Sequence, residues 1–209
     1  MGSVAQLGDN ALTPPEMGRR ERNKRAKQAR ILSAARELFR TNGFAETTTA
    51  QIAEAADIGT GTLFLYVRSK EDLLVQVFKD EMIETARNLF NTLPEGASPA
   101  VQMMTIFEGM YLYHGQDIEV SKVLLREVNI PSSSERTADI DQLMDVVFQG
   151  LARISSNSSG VARENPEVTA RSAFAIYYYS LVGWISGAQE RDESVELLRL
   201  QLQLLLGED

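Results

Sequence analysis

Residues Thr47 to Leu74 (TTTAQIAEAADIGTGTLFLYVRSKEDLL) constrain the fold more than any other part of the chain, because they predict two short helices joined by a tight turn. Both helices carry apolar residues at helical spacing, namely Ile52, Ala53 and Ala56 in the first and Leu63 and Val67 in the second. Each helix therefore has one face that must pack against the interior.

The ends of these helices are marked by capping residues. Thr48 and Gln51 have the spacing of a capping box at the start of the first helix. Ser69 and Asp72 offer a looser capping box where the next helix begins. The boundaries of the two helices are thus predicted from side-chain chemistry as well as from periodicity.

The turn between the two helices is Asp57-Ile58-Gly59. Asp57 tolerates the left-handed backbone conformation that ends a helix, and Gly59 stands where the N-cap of the second helix is expected. Gly61 leaves the start of that helix without a bulky side chain. The backbone there can approach a phosphate or a base edge closely.

This stretch resembles the helix-turn-helix signature of the TetR/AcrR family of transcriptional regulators over about residues 30–74. The matching residues are Thr47-Thr48, Ile52-Ala53, Gly61-Thr62-Leu63-Phe64, Tyr66 and Ser69-Lys70-Glu71. The rest of the chain matches the family only in its helical character and its length. Three positions depart from the usual pattern: Asp57 replaces the common Gly, Gly59 the common Ser and Val67 the common Phe.

The resemblance implies an all-α protein with an N-terminal three-helix DNA-binding domain joined to a larger helical domain for ligand binding and dimerisation. We expect a flexible tail over 1–18, the DNA-binding domain over 19–69 and the second domain over 70–209. By resemblance, Thr48, Thr49, Tyr66 and Lys70 hold phosphates, whereas Thr60, Gly61, Thr62 and Phe64 face the groove of double-stranded operator DNA.

A dense basic run precedes the helix-turn-helix, made of Arg19, Arg20, Arg22, Lys24, Arg25, Lys27 and Arg30. One interpretation is a solvated helix face. Its place beside the helix-turn-helix favours an arm that grips phosphates or reaches a minor groove, with Arg25 among its DNA contacts.

Charge is unevenly divided along the chain, whose net charge is −8. Residues 1–70 hold 11 basic and 7 acidic residues, a net charge of +4, whereas residues 71–209 hold 10 basic and 22 acidic ones, a net charge of −12. The acidic part would repel DNA and so help present only the basic end to it.

Composition argues against several other classes of protein. The 209 residues include no Cys and one His. Disulfides are therefore excluded, and we expect no zinc or iron site. No Walker motif, nucleophile elbow or complete dinucleotide motif is present, so we expect neither an enzyme nor a cofactor. We find no signal peptide and no membrane-spanning stretch, and expect a cytoplasmic protein.

Beyond the helix-turn-helix, helices are predicted at about 70–93, 99–114, 117–129, 136–156, 167–187 and 192–206. The last two have apolar stripes that suit either an ordinary core or an association surface. Gly183 and Gly187 would let another helix approach closely. The resemblance implies a homodimer through a four-helix interface, for which we expect contacts from Phe174, Tyr177, Leu181, Trp184, Leu198, Leu202 and Leu205.

Aromatic and methionine residues also recur at helical spacing in the middle of the chain. Such stripes are usually core, but the resemblance implies a small organic effector bound among the central helices. The candidate lining is Phe107, Tyr111, His114, Tyr178 and Trp184. His114, on an otherwise apolar face, could form one directional hydrogen bond to a ligand or could be a satisfied core histidine.

The sequence therefore predicts a dimeric, ligand-responsive transcriptional regulator, most simply a repressor released from a palindromic operator by its effector. Two alternatives stay open. One is a helical structural or protein-interaction module that has lost operator binding, and the other is a membrane-surface protein that uses the basic N-terminal helix. Operator footprinting and vesicle sedimentation would separate these alternatives.

Overall fold

A computed structural model describes residues 18–129 and 134–207, with side chains described over 18–126 and 140–207. All regular structure in these ranges is helical, which confirms the predicted all-α fold. Of the predicted tail over 1–18, residues 1–17 lie outside the described residues, as do residues 130–133. The helices are α1 (Arg19–Asn42), α2 (Thr49–Ala55), α3 (Thr60–Leu63), α4 (Lys70–Asn91), α5 (Pro99–Gly115), α6 (Ile118–Asn129), α7 (Ser134–Ser155), α8 (Gly160–Glu164), α9 (Pro166–Ile185) and α10 (Arg191–Leu206).

The helix-turn-helix is built as its sequence predicts. The Thr48 hydroxyl accepts from the Gln51 backbone N–H at 3.2 Å, and the Gln51 side chain accepts from the Thr48 N–H at 2.8 Å, which completes the capping box. Asp57 has φ +54°, the left-handed conformation predicted for the turn. Gly59 is the N-cap of α3.

The cap of α4 differs in one detail from a full capping box. Ser69 accepts from the Asp72 backbone N–H at 3.0 Å, as predicted. The Asp72 carboxylate, however, accepts from the Arg68 backbone N–H at 2.9 Å. The carboxylate thus also satisfies a donor in the chain just before the cap, and so fixes the entry into α4.

The basic run is helical, which is the conformation of the first of the two interpretations, the solvated helix face. Residues 19–30 form the first turns of α1, and nearly all of their side chains are exposed. Buried residues begin only at Ile31 and recur at Ala35 and Phe39, so the first half of α1 extends as a basic, solvated helix. Asn42 ends α1, and Gly43 follows with φ +79°.

Two hydrophobic cores divide the described residues. The first joins α1, α2 and α3 to the start of α4 through residues that include Ile31, Ile52, Leu63 and Leu74. Val120 and Leu124 of α6 also belong to this first core. The second core lies among α4, α5, α7, α9 and α10. Because α4 and α6 contribute to both cores, these two helices connect the DNA-binding end to the larger body.

The remaining helix boundaries fall within a few residues of the predicted ones, with one omission. The sequence reading placed a break between α7 and α9, where the structure has the short helix α8. Its five residues are too few for helical periodicity to show, and Pro166 begins α9 directly afterwards.

The end of α9 corrects one expectation about helix contacts. Gly187 follows the helix with φ +78°. Its N–H bonds to the Trp184 carbonyl at 2.9 Å, and the Ala188 N–H bonds to the Gly183 carbonyl at 3.0 Å, the pattern of a Schellman motif. Gly187 therefore terminates α9 and does not form a helix-packing stripe with Gly183. The position where Gly183 lacks a side chain is occupied by Gln189 of the same chain.

Candidate nucleic-acid interface and ligand pocket

The start of α3 presents small polar residues to solvent. Thr60 and Gly61 are exposed, Phe64 has 48% of its surface exposed, and Leu63 on the opposite side is fully buried. An added Cβ at Gly61 would meet no atom within 4 Å, so this position is open to an approaching partner. The burial pattern thus turns Thr60, Gly61 and Phe64 outward, as predicted for residues that face the groove, whereas Thr62 is half-buried.

Residues predicted to hold phosphates border this exposed surface. Thr48 is exposed at the start of α2, whereas Thr49 and Tyr66 are half-buried. Arg25 is exposed on α1 and pairs with Glu21 at 3.3 Å. Such an exposed ion pair is weak and can exchange for a phosphate.

Lys70 has a structural contact as well as its predicted DNA contact. Its ammonium donates to the Phe44 carbonyl at 2.8 Å and to the Ala45 carbonyl at 3.2 Å, and lies 4.4 Å from the centre of the Phe44 ring. The loop between α1 and α2 is therefore tied to α4 through this side chain. One ammonium N–H remains for a phosphate oxygen.

A narrow apolar pocket lies among α4, α5, α6, α7 and α9. Its volume is about 30 Å³, whereas small-molecule sites commonly measure about 300 to 1,000 Å³. Unbranched, flexible methionines on three of the helices could let the pocket widen around a ligand. The lining residues are Met82, Met110, His114, Leu124, Leu125, Leu143, Met144, Val147, Phe174, Tyr177, Tyr178 and Leu181.

His114 is the most polar group of the lining, and a serine fixes its orientation. The Ser121 hydroxyl donates to the His114 backbone carbonyl at 2.9 Å, and His114 Nδ1 lies 3.0 Å from the same hydroxyl oxygen. Burial lowers the pKa of His114 to about 4, so the imidazole is neutral at physiological pH.

Two of the five residues predicted to bind a ligand, His114 and Tyr178, line this pocket. Phe107 and Tyr111 are fully buried beside it, where Phe107 stacks on Tyr177 with ring centres 4.5 Å apart. Trp184 stacks on Tyr111 at 5.3 Å. These three belong to the aromatic core behind the pocket, where Phe107 and Tyr111 of α5 stack on Tyr177 and Trp184 of α9.

Three residues predicted for the dimer interface, Phe174, Tyr177 and Leu181, line the pocket instead. Leu198 and Leu202 are also fully buried, within the core of their own chain. Tyr177, Leu181, Leu198 and Leu202 cannot lie on an exposed pairing surface while the chain keeps this fold, which corrects the predicted interface. Phe174 is half-buried. Trp184 and Leu205 are half-buried and remain available at its edge.

The sequence reading missed most of the pocket lining for a physical reason. Met82, Leu143 and Met144 come from helices far apart in the chain, and only the packing of α4 and α7 against α9 brings them together. Helical periodicity identifies a buried face but does not say which buried faces enclose a gap.

The outer faces of α9 and α10 carry large apolar side chains in contact with solvent. Tyr179 is 76% exposed and Leu204 is 83% exposed, and Val168, Val182, Leu197 and Leu200 are exposed as well. They recur at helical spacing on two helices that pack side by side. An apolar surface of this kind is typical of an association site.

Two negative observations apply to the described ranges 18–129 and 134–207. No helix there combines the length and apolarity needed to cross a membrane. No group of three or more His, Cys, Asp or Glu side chains there could hold a metal ion.

The helix-turn-helix packs its apolar face in the first core and exposes Thr60, Gly61 and Phe64 at the start of α3. This arrangement defines a DNA-binding regulator. Residues 31–77 match the family described as bacterial regulatory proteins, tetR family. Over these residues the chain carries the DNA-binding domain of the TetR family of transcriptional regulators.

Relatives match nearly the whole chain. A transcriptional repressor from Rhodococcus jostii, KstR, is 26% identical over 99% of this chain and 92% of its own length. The fatty acid metabolism regulator protein of Bacillus subtilis is 24% identical over 89% of this chain and 97% of its own. The crystal structure of Thermus thermophilus FadR with lauroyl-CoA shares the fold, with a TM-score of 0.65 and 24% identity over 85% of this chain and 93% of that one.

Proposed function

We propose that this protein is a homodimeric transcriptional repressor that leaves a palindromic operator when an organic effector occupies the pocket among α4 to α9. Two α3 helices would address half-sites about 34 to 36 Å apart. Repression, as opposed to activation, is supported by the relatives, which include repressors aligned over nearly their full length.

The observation that carries this proposal is the position of Leu124. Leu124 packs in the first core with α1 to α4 and also lines the apolar pocket. Its neighbour Leu125 belongs to the second core and lines the same pocket. A ligand that widens the pocket on the side of Leu124 and Leu125 would therefore move or repack α6, which contacts the DNA-binding end directly. A ligand that favours one placement of α6 can then change the distance between the two α3 helices of the dimer.

For the dimer, we propose the exposed apolar face of α9 and α10, with Tyr179, Val182, Leu197, Leu200 and Leu204 at its centre. Pairing of this face with its copy would make a four-helix interface, as the family resemblance implies. It would also remove the largest exposed apolar side chains of these helices from water.

The effector we propose has a long apolar portion and an anionic head. Apolar side chains and methionines supply nearly all of the pocket wall. A neighbouring groove of about 450 Å³ shares Leu125 and Tyr178 with the pocket and adds Lys122 and Arg126. Acyl thioesters of coenzyme A have this division, and a solved relative holds lauroyl-CoA. Lauroyl-CoA is therefore the first compound to test.

The DNA part of the proposal predicts different effects for two substitutions. Lys70→Ala should weaken binding to all duplexes and flatten the salt slope by about one unit, because it removes a phosphate contact. Thr60→Ala should instead change base preference. Binding-site selection from a randomised duplex pool, followed by titrations at several salt concentrations, measures both.

Lys122→Ala is the matched control, since it removes one cation from α6, outside the helix-turn-helix, and these titrations contain no effector. It should leave the salt slope unchanged. Because Lys70 also holds the loop at Phe44 and Ala45, thermal melts must show that Lys70→Ala remains folded. Equal loss of base preference from Lys70→Ala and Thr60→Ala would contradict this assignment of roles. Failure of the selection to enrich any palindrome would favour the structural-module alternative.

Reciprocity between ligand and DNA tests the effector part. If lauroyl-CoA weakens binding of the selected duplex, thermodynamic linkage requires the duplex to weaken lauroyl-CoA binding by the same factor, commonly about 5 to 150-fold. Calorimetry of lauroyl-CoA with free and DNA-bound protein measures that factor. Coenzyme A without the acyl chain serves as the control and should not release DNA. Lauroyl-CoA that binds equally well to both forms would overturn regulation by this ligand.

A further inference from the structure

Two residues that line the apolar pocket, Tyr177 and His114, each have a polar atom without a hydrogen-bond partner among the described residues. Tyr177 is almost completely buried, and its hydroxyl has no hydrogen-bond partner among the described residues. Unpaired buried hydroxyls are uncommon and cost about 1 to 3 kcal/mol each. His114 uses Nδ1 for Ser121, and no described residue bonds to Nε2.

The hydrogen bonds around Ser121 determine which nitrogen of His114 carries the proton. The only proton of the Ser121 hydroxyl points to the His114 backbone carbonyl, so its oxygen can only accept from the ring. Nδ1 therefore carries the proton of the neutral imidazole, and Nε2 is an acceptor. Burial raises the pKa of Tyr177 well above its usual range, so the phenol keeps its proton and can donate it.

We infer that the effector carries a hydroxyl group on its apolar portion, which accepts a hydrogen bond from Tyr177 Oη and donates one to His114 Nε2. This inference rests on the proposed function, since it assigns the chemistry of the same pocket. It makes Tyr177 and His114 the residues that determine effector specificity.

Other polar groups match the pocket less well. A ketone only accepts and would leave His114 Nε2 without a donor. A carboxylate or an ammonium would bring a charge into a pocket whose lining includes no Asp, Glu, Lys or Arg, which is costly. A hydroxyl is the smallest neutral group that donates and accepts at a single atom.

The test compares matched compounds in two scaffolds. The first set is lauroyl-CoA, 3-hydroxylauroyl-CoA, 12-hydroxylauroyl-CoA and 3-oxolauroyl-CoA. The second set, without a thioester, is phenylcyclohexane, 4-phenylcyclohexanol and 4-phenylcyclohexanone. We expect an alcohol to bind about tenfold more tightly than its ketone or unsubstituted counterpart, because two hydrogen bonds add to the same apolar burial. Fluorescence or calorimetric titration measures these ratios.

Substitutions assign the preference to the two residues. Tyr177→Phe and His114→Phe should each remove most of the preference for the alcohol while leaving operator affinity without ligand nearly unchanged. Tyr111→Phe is the matched control, because it also removes a buried tyrosine hydroxyl, beside Ser180, but Tyr111 does not line the pocket. Without ligand, Tyr177→Phe should have an unfolding midpoint no lower than that of the native chain, since it removes an unpaired hydroxyl.

The outcomes separate this inference from the proposed function. An alcohol preference in the second set, with no binding of any thioester, would support the hydroxyl site and overturn the acyl-thioester class. Binding of thioesters without any alcohol preference would support the proposed effector class and overturn the hydroxyl site. An alcohol preference that survives Tyr177→Phe, or a lower unfolding midpoint in that variant, would also overturn it. No binding in either set would count against both.

Discussion

Leu202→Glu is expected to unfold the chain. Leu202 lies on α10 and is fully buried in the second core. The substitution removes a buried apolar side chain and places a carboxylate in a core where no Lys or Arg is buried among the described residues. Such a change belongs to the class that costs more than about 4 kcal/mol, a large fraction of the stability of a typical domain. Circular dichroism during a thermal melt measures the loss.

The same helix offers a matched control two residues away. Leu204 is 83% exposed, so Leu204→Glu should leave the fold of each subunit intact, with an effect within about 0.5 kcal/mol for the isolated subunit. Two such charges would face each other across the proposed dimer axis and should separate the subunits. Light scattering that shows a dimer for Leu204→Glu would contradict the proposed pairing face. A folded, monomeric Leu202→Glu would contradict the burial of Leu202 within one chain.

The helix-turn-helix could be predicted in detail because its signals are local. The capping box of Thr48 with Gln51, the left-handed Asp57 and the N-cap at Gly59 each depend on residues within a few positions of one another. Local hydrogen bonding and backbone sterics decide such features, and tertiary packing does not need to be known. The same local rules account for the end of α1 at Asn42, before Gly43 with its positive φ, and for the start of α5 at Pro99.

Predictions that depended on which side of a helix meets which partner were less accurate. The apolar stripe on α9 was assigned to a dimer interface, yet Tyr177 and Leu181 face the pocket. A long apolar stripe looks the same whether it packs on its own chain or on a second one. The exposed face is visible only in the structure, because Tyr179 and Val182 were not distinguishable in the sequence from their buried neighbours.

The basic run shows the same limit in another form. Its charges are recognisable in the sequence, but a solvated helix face and an arm both stay open for residues 19–30, since these residues lack an apolar stripe. Continuity with the buried turn at Ile31 extends the helix into them, and helix propagation is far easier than nucleation. The position of Arg25 on a rigid helix therefore limits which phosphates it can reach.

Acidification is expected to destabilise the protein through His114. Its pKa is lowered to about 4 in the folded chain, against about 6.5 in the unfolded chain, because the imidazole is buried. Between these two values the unfolded chain binds a proton that the folded chain does not, so the free energy of unfolding falls as pH decreases through this window. The full effect amounts to about 3 kcal/mol, from the shift to a pKa of about 4.

His114→Gln isolates this effect because His114 is the only histidine of the chain. Glutamine does not titrate, and an amide can still bond to Ser121. The other titratable groups of the pocket wall, Tyr177 and Tyr178, have pKa values raised by burial and stay neutral throughout. Urea unfolding of both proteins between pH 7.5 and pH 4 should therefore give curves that run parallel above about pH 7 and separate below about pH 6.5, with the native chain losing more stability. Curves that stay parallel down to pH 4 would mean that the pKa of His114 is the same in the folded and unfolded chains. The imidazole would then not be buried and neutral, and its role as an acceptor depends on that state.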